Sequence, residues 1–196
     1  YIASTGLAID PKAMAMLKEH VGMDIARMVK EIDKLKVSMA VGETRITDSH
    51  IEQYIGLSKE YNTFELNDAV LKQDMGRAMR IAEHFAHNQK TYPITLTITI
   101  LFGLFQQLFL LNYHMWQSRK RGIPMPSDAE LMRAIRANNP YAVKELKANI
   151  GRWSGPRLFK ILGYLREYDA KSKGVDSGGL DGGELLKELL LKIFMS

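Results

Sequence analysis

Hydrophobic residues recur at three- and four-residue spacing along most of the chain, which is the pattern of amphipathic helices. Near the start, Asp10 before Pro11, and later Asp24, are suited to cap two helices. Thr47 is suited to cap a short third helix that carries Ile51. The pattern therefore predicts three short helices within residues 1–57.

The helical repeat lapses over residues 56–62 and then resumes, so we expect a hinge and a domain boundary there. Farther on, the longest predicted helix begins at Pro93 and ends at about Arg121, before Gly122. Residues 94–100 alternate between threonine and isoleucine or leucine, which favours a strand locally. The three-and-four spacing of the longer segment favours a helix, and we expect the helix.

More helix starts are predicted along the rest of the chain, at Asp74, Ser127, Asn139 and Ser154. The glycine-rich segment at 174–183 predicts a flexible loop before a last helix from Glu184 to Phe194. The expected fold class is all-α. We expect a small three-helix domain over residues 1–60 and a helical bundle over residues 62–196.

The composition is that of a folded protein, with 46% hydrophobic and 25% charged residues among 196. A net charge of +5 favours anionic partners without identifying one. The absence of cysteine excludes disulfides, thiol nucleophiles and thiolate metal sites. Polar residues interrupt the apolar segment at 94–113, so we expect a buried helix there and no membrane span. The first residue is Tyr1, and we expect the chain to be part of a longer protein.

The sequence contains no recognisable arrangement of catalytic residues. The glycine-rich segment lacks the phosphate-binding pattern GxxxxGK[ST]. His84 and His87 share a helix face, but no third ligand accompanies them at the spacing that a metal site requires. Neighbouring carboxylates are explained by ion pairs such as Glu31 with Lys34. We therefore expect no catalytic residue, metal or cofactor.

Basic and aromatic residues are interleaved in the second half of the chain. A basic run, Arg119 to Arg121, ends the longest helix, and more cations surround Tyr141 and Trp153. Such a surface would neutralise phosphates and stack on bases. The alternative is that the run interacts with the helix dipole and that Trp153 belongs to the core.

The longest helix carries more large apolar residues than one helix face can bury. They are distributed around more than one stripe and comprise Phe102, Phe105, Leu108, Phe109, Leu111, Tyr113 and Trp116. Two interpretations stay open: part of this surface meets another subunit, or all of it fills the core of the bundle.

Four segments, taken in order, resemble the C-terminal two-thirds of the delta subunits of bacterial DNA polymerase III. They are GMDIARMVKEIDKL at 22–35, YNTFELNDAVLKQDMGRAMRI at 61–81, NPYAVKELKANIGRWSGPRLFKIL at 139–162 and YLREYDAKSKG at 164–174. The resemblance implies a non-catalytic subunit of the clamp loader within the polymerase holoenzyme. Its lid, of the type found in AAA+ ATPases, would be residues 1–60, and its collar, which joins the subunits into a ring, residues 62–196.

The resemblance also implies partners. These would be delta prime and gamma or tau subunits, primed DNA, and the sliding clamp through an N-terminal domain that this sequence lacks. Active ATPases of the superfamily place an arginine where this chain has Ala26, with Arg27 one position later. Without that arginine, we expect no contribution to ATP hydrolysis. A cytoplasmic location is expected, with no membrane partner.

Candidate residues follow from this interpretation. The DNA-binding candidates are Tyr141, Lys144, Lys147, Arg152 and Lys171. The subunit-interface candidates are Phe159, Tyr164, Tyr168, Leu186 and Leu190. Two alternatives stay open, a free-standing nucleic-acid-binding helical module and an enzyme whose site the sequence does not reveal.

Overall fold

The structure is a computed structural model that describes residues 1–21, 24–55, 61–137 and 140–196. Within these ranges nearly all regular structure is helical, which confirms the all-α prediction. Residues Tyr1–Leu66 and Asn67–Ser196 form two compact units. The predicted hinge at 56–62 lies mostly outside the described residues, so the exact domain boundary stays a prediction.

In its described residues the first unit contains three α-helices, one short 3-10 helix (Ala3–Thr5) and a pair of very short strands. The helices are α1 (Pro11–Val21), α2 (Ile25–Ser38) and α3 (Asp48–Ile55), and the first residues of α4 (Thr63–Leu71) also belong here. Strands β1 (Ala8–Ile9) and β2 (Arg45–Ile46) pair in parallel, with Ala8 opposite Arg45. The sequence analysis missed this pair because two residues are too few to show an alternating pattern.

The core of the first unit lies between its three helices. Asp24 caps α2 as predicted, since its carboxylate accepts a hydrogen bond of 3.0 Å from the backbone N–H of Arg27. The largest wholly buried side chains come from each helix and from β2: Met16, Leu17, Leu35, Ile46 and Ile51. The four helical residues among them lie at apolar positions that the helical repeat predicted, whereas Ile46 belongs to the unpredicted strand β2.

The second unit is a helical bundle that contains the longest helix of the described chain. After the end of α4 come α5 (Met75–His87), α6 (Ile94–Arg121), α7 (Asp128–Ala134), α8 (Pro140–Asn149), α9 (Gly155–Ser172) and α10 (Gly182–Phe194). The predicted caps Asp74, Ser127 and Ser154 each accept a hydrogen bond from the helix that they precede. The predicted cap Asn139 lies outside the described residues. Helix α10 begins two residues earlier than predicted because Asp181 and Glu184 cap it reciprocally.

The strand-like segment at 94–100 is helical, as the longer pattern predicted. The hydroxyl of Thr99 donates to the carbonyl of Thr95 at 2.8 Å, so the hydroxyl of this β-branched residue has a hydrogen-bond partner within the helix. By length and composition α6 is apolar enough to cross a membrane, a property that it shares with the core helices of soluble proteins. In this structure α6 packs against α8, α9 and α10.

Helices α5 and α10 approach closely at Gly183. A β-carbon built at Gly183 would lie 2.4 Å from the β-carbon of Ala86. Non-bonded carbon atoms do not come so close, so any residue with a β-carbon would clash here and glycine is required at this crossing. The close approach fixes α10 against α5 and lets its leucines fill the centre of the unit.

Candidate interaction surfaces

Helix α6 divides its large apolar residues between two faces. An inner face is buried in the bundle and consists of Leu101, Leu104, Phe105, Leu108 and Leu111. On another face Phe102, Tyr113 and Trp116 are 43%, 45% and 44% exposed, with half-buried Phe109 between them. We call Phe102, Phe109, Tyr113 and Trp116 the outer seam. Their spacing of seven, four and three residues places them on one side of the helix.

The core interpretation holds for Phe105, Leu108 and Leu111, which are buried in the bundle. Contact of the remaining apolar residues of α6 with another subunit stays a prediction. The outer seam leaves several aromatic rings partly in contact with solvent, which singles it out as a candidate binding surface.

The C-terminal part of the outer seam is held in a defined geometry. The rings of Tyr113 and Trp116 stack with their centroids 6.2 Å apart and their planes 19° from parallel. The side-chain amide of Gln117 donates to the Tyr113 hydroxyl at 2.9 Å. The guanidinium of Arg121 lies 5.1 Å from the centre of the Trp116 ring. Rigid aromatic surface of this kind lowers the entropic cost of binding a partner.

Trp153 belongs to the core, which was the alternative to its stacking on a nucleic acid base. It is 1% exposed, and its indole N–H donates to the carbonyl of Leu71 at 3.2 Å. The ring of Phe105 meets it edge to face at 5.3 Å. The carbonyl of Trp153 accepts from the Asn112 side chain at 3.1 Å. Trp153 thus ties the end of α4 to α6, and its ring is not available to a nucleic acid base.

Arg157 is part of the same core arrangement. Its guanidinium lies 4.4 Å from the centre of the Trp153 ring. It also donates to the carbonyls of Ile193 and Phe194, at 3.2 and 3.4 Å, and so satisfies the end of α10. Burial lowers the pKa of this guanidinium. Arg157 therefore stabilises the fold, and its guanidinium is engaged within the chain rather than free to bind a phosphate.

The five DNA-binding candidates are not gathered at one site. Tyr141, Lys144 and Lys147 share helix α8, whereas Lys171 lies on the last turn of α9. Sixteen residues separate Lys171 from the start of α9, which is about 24 Å along the helix axis. Arg152, two residues before the Ser154 cap of α9, is therefore remote from Lys171.

Three of these five candidates also have partners within the chain. Lys147 pairs with Asp128, and the guanidinium of Arg152 donates to the carbonyl of Lys72. Lys171 pairs with Glu167 at 2.9 Å, a hydrogen bond that raises the pKa of the lysine. Tyr141 is 66% exposed and Lys144 is exposed, without an ion-pair partner among the described residues.

The interface candidates separate into exposed and buried residues. Phe159 is 74% exposed, and Tyr164 is half-buried. The side chains of Tyr168, Leu186 and Leu190 are at most 2% exposed, which corrects their prediction as interface residues. They are buried because α9 and α10 pack against each other and fill their shared core with these positions. Burial also raises the pKa of the Tyr168 phenol.

The histidines of α5 and the first turn of α2 are the two places where the sequence raised the question of metal or nucleotide chemistry. No cluster of three potential metal ligands occurs in the described parts of the chain. His84 lies against Tyr92, with ring centroids 5.8 Å apart, and burial lowers the pKa of its imidazole. In the first unit, Ala26 and Arg27 occupy the exposed first turn of α2, and Gly22 lies outside the described residues.

Comparison with known proteins shows a likeness of fold to a clamp loader protein. The DNA clamp loader delta protein of Bacillus subtilis aligns with 100% of this chain, at a TM-score of 0.63 and 18% sequence identity. The two chains are similar in fold. The present chain spans 53% of the length of that protein. No protein-family model matches the sequence, and no curated protein matches it.

Proposed function

We propose that this chain is part of a non-catalytic clamp loader subunit of the delta type. The proposal rests on the similarity of fold to the Bacillus subtilis clamp loader delta protein over the full length of the chain. The order of the sequence segments that resemble bacterial delta subunits supports it independently. In this proposal residues 1–60 are the lid and residues 62–196 the collar, and the protein works in the cytoplasm.

We further propose that the outer seam of α6 is where a neighbouring loader subunit binds. Aromatic residues are the side chains that most often dominate the energy of protein interfaces. The outer seam offers Tyr113 and Trp116 already stacked, with Arg121 beside them. Phe159, 74% exposed on α9, is the second candidate contact. Neighbours of the delta prime and gamma or tau types are the proposed partners.

Contact with primed DNA is proposed for the exposed face of α8 alone. Tyr141 and Lys144 are three residues apart on this helix, so they lie on one face. An exposed ring and an unpaired ammonium would stack on a base and neutralise a phosphate. Reversing the charge with Lys144→Glu is expected to weaken DNA stimulation of the assembled loader while assembly stays intact.

Size-exclusion chromatography tests the proposed function. The protein is mixed with the other clamp loader subunits from the same genome and, separately, with primed DNA. The proposal expects the protein to elute with the loader subunits. If it stays alone with the subunits and elutes with DNA, it is a free-standing nucleic-acid-binding module and the proposal is wrong.

A further inference from the structure

A cavity beside the C-terminal end of α6 is separate from the outer seam. It has a volume of about 300 Å³, near the lower end of the range for ligand sites. Its apolar floor is formed by residues of α6, of the segment after it and of the turn after α8: Leu111, Met115, Met125 and Ile150. Arg119 and Lys147 lie at its edge.

The cavity and the outer seam lie on different sides of α6. Met115 is two residues from Tyr113, and two residues correspond to a rotation of about 200° around a helix. The cavity and the exposed rings of the outer seam are therefore not parts of one surface patch.

The lining indicates an apolar side chain as the occupant. Two methionines supply flexible, polarizable surface, which adapts to different apolar groups. The volume accommodates one large side chain with its adjoining backbone and is too small for a second helix. No aromatic ring lines the cavity, so it lacks the stacking platform that single-stranded nucleic acid requires.

The charges around the cavity indicate acidic neighbours for that side chain. Arg119 is exposed and has no ion-pair partner among the described residues, and Lys120 and Arg121 follow it. The lysine of the Lys147–Asp128 pair faces the cavity, and Lys144 lies one turn earlier on α8. The dipole of α6 accounts for a basic helix end, but it does not account for an apolar cavity beneath that end.

We propose that this cavity binds an acidic peptide segment of a partner protein, with one large apolar side chain inserted between Met115 and Met125. Arg119 would pair with the carboxylates that flank the inserted side chain. This proposal does not depend on the outer seam or on the delta-type function, because the cavity lies within the second unit of this chain alone.

The test uses a fluorescent peptide with one central phenylalanine flanked by two aspartates on each side. Its binding is followed by fluorescence anisotropy and by the NMR signals of carbon-13-labelled methionine methyl groups, assigned with Met115→Leu and Met125→Leu. The signals of Met115 and Met125 are expected to shift, while that of Met195, 82% exposed elsewhere, stays in place. A peptide with alanine in place of phenylalanine is expected to bind at least about tenfold more weakly.

Charge reversal provides the matched control. Arg119→Glu is expected to weaken peptide binding about tenfold. Arg166→Glu, at an exposed position of α9, is expected to leave it unchanged, and circular dichroism checks that both variants fold. The proposal is overturned if the peptide fails to bind or if its phenylalanine is dispensable. It is equally overturned if single-stranded DNA, rather than the peptide, shifts the signals of Met115 and Met125.

Discussion

The two tryptophans of this chain show how similar sequence surroundings lead to opposite roles. Each lies near an arginine, Trp153 near Arg157 at 4.4 Å and Trp116 near Arg121 at 5.1 Å. Trp153 is 1% exposed and donates its indole N–H to a backbone carbonyl, whereas Trp116 is 44% exposed. A basic residue beside an aromatic ring therefore does not by itself indicate a binding site. The buried fraction of the ring and the hydrogen-bond partner of its indole N–H are what distinguish a core tryptophan from a candidate binding residue.

The largest effect is expected from Trp153→Ala. The change removes the ring that meets Phe105 and leaves the carbonyl of Leu71 without its donor. Truncating a buried tryptophan costs about 3–5 kcal/mol of unfolding free energy. Urea unfolding followed by circular dichroism measures the loss. Trp153→Phe, which keeps most of the apolar volume, is the control and is expected to cost less; an equal loss would contradict the packing role.

A smaller effect is expected from Arg157→Met. Methionine keeps part of the apolar contact with Trp153 but removes the guanidinium that donates to the carbonyls of Ile193 and Phe194, of which Ile193 keeps the Ser196 hydroxyl as a donor. We expect a loss of about 1–3 kcal/mol in the same unfolding experiment. Lys160→Met, at an exposed position of α9, is the control and is expected to stay within about 0.5 kcal/mol. If Arg157→Met and Lys160→Met lower the free energy of unfolding equally, Arg157 contributes no more to stability than an exposed residue and its structural role is contradicted.

The smallest effect on stability is expected from Trp116→Ala. Its exposed ring contributes little to the core, so the free energy of unfolding should change by about 0.5 kcal/mol or less. The same variant is expected to co-elute poorly with clamp loader subunits, the proposed partners, because truncating a central interface aromatic costs about 2 kcal/mol or more of binding energy. If the variant is stable and still assembles normally, Trp116 is not an interface residue and the proposed difference in role between the two tryptophans is wrong.

Local signals made much of the fold predictable from the sequence. The Asp24, Asp74 and Ser127 caps depend on residues within one turn, so sequence spacing was sufficient to find them. The pairing of β1 with β2 joins residues far apart in the chain, and neither strand carries a pattern of its own. Only the packed structure reveals it.

The candidate surfaces were less predictable, because helical spacing does not tell which apolar face a neighbour covers. Phe102 and Phe105 are both phenylalanines of an apolar helix, yet one is 43% exposed and the other is wholly buried. Tyr168 and Phe159 differ in the same way on α9. The packing of α6, α9 and α10 decides these outcomes, and that packing joins segments distant in sequence.

Site-specific photo-crosslinking tests the central claim, that the outer seam of α6 binds a neighbouring clamp loader subunit. A benzoylphenylalanine replaces Trp116 in one variant and Phe159 in another, and each protein is irradiated with the other loader subunits. The account predicts a crosslink to a loader subunit from position 116. A crosslink from position 159 with none from position 116, or none from either, would contradict it.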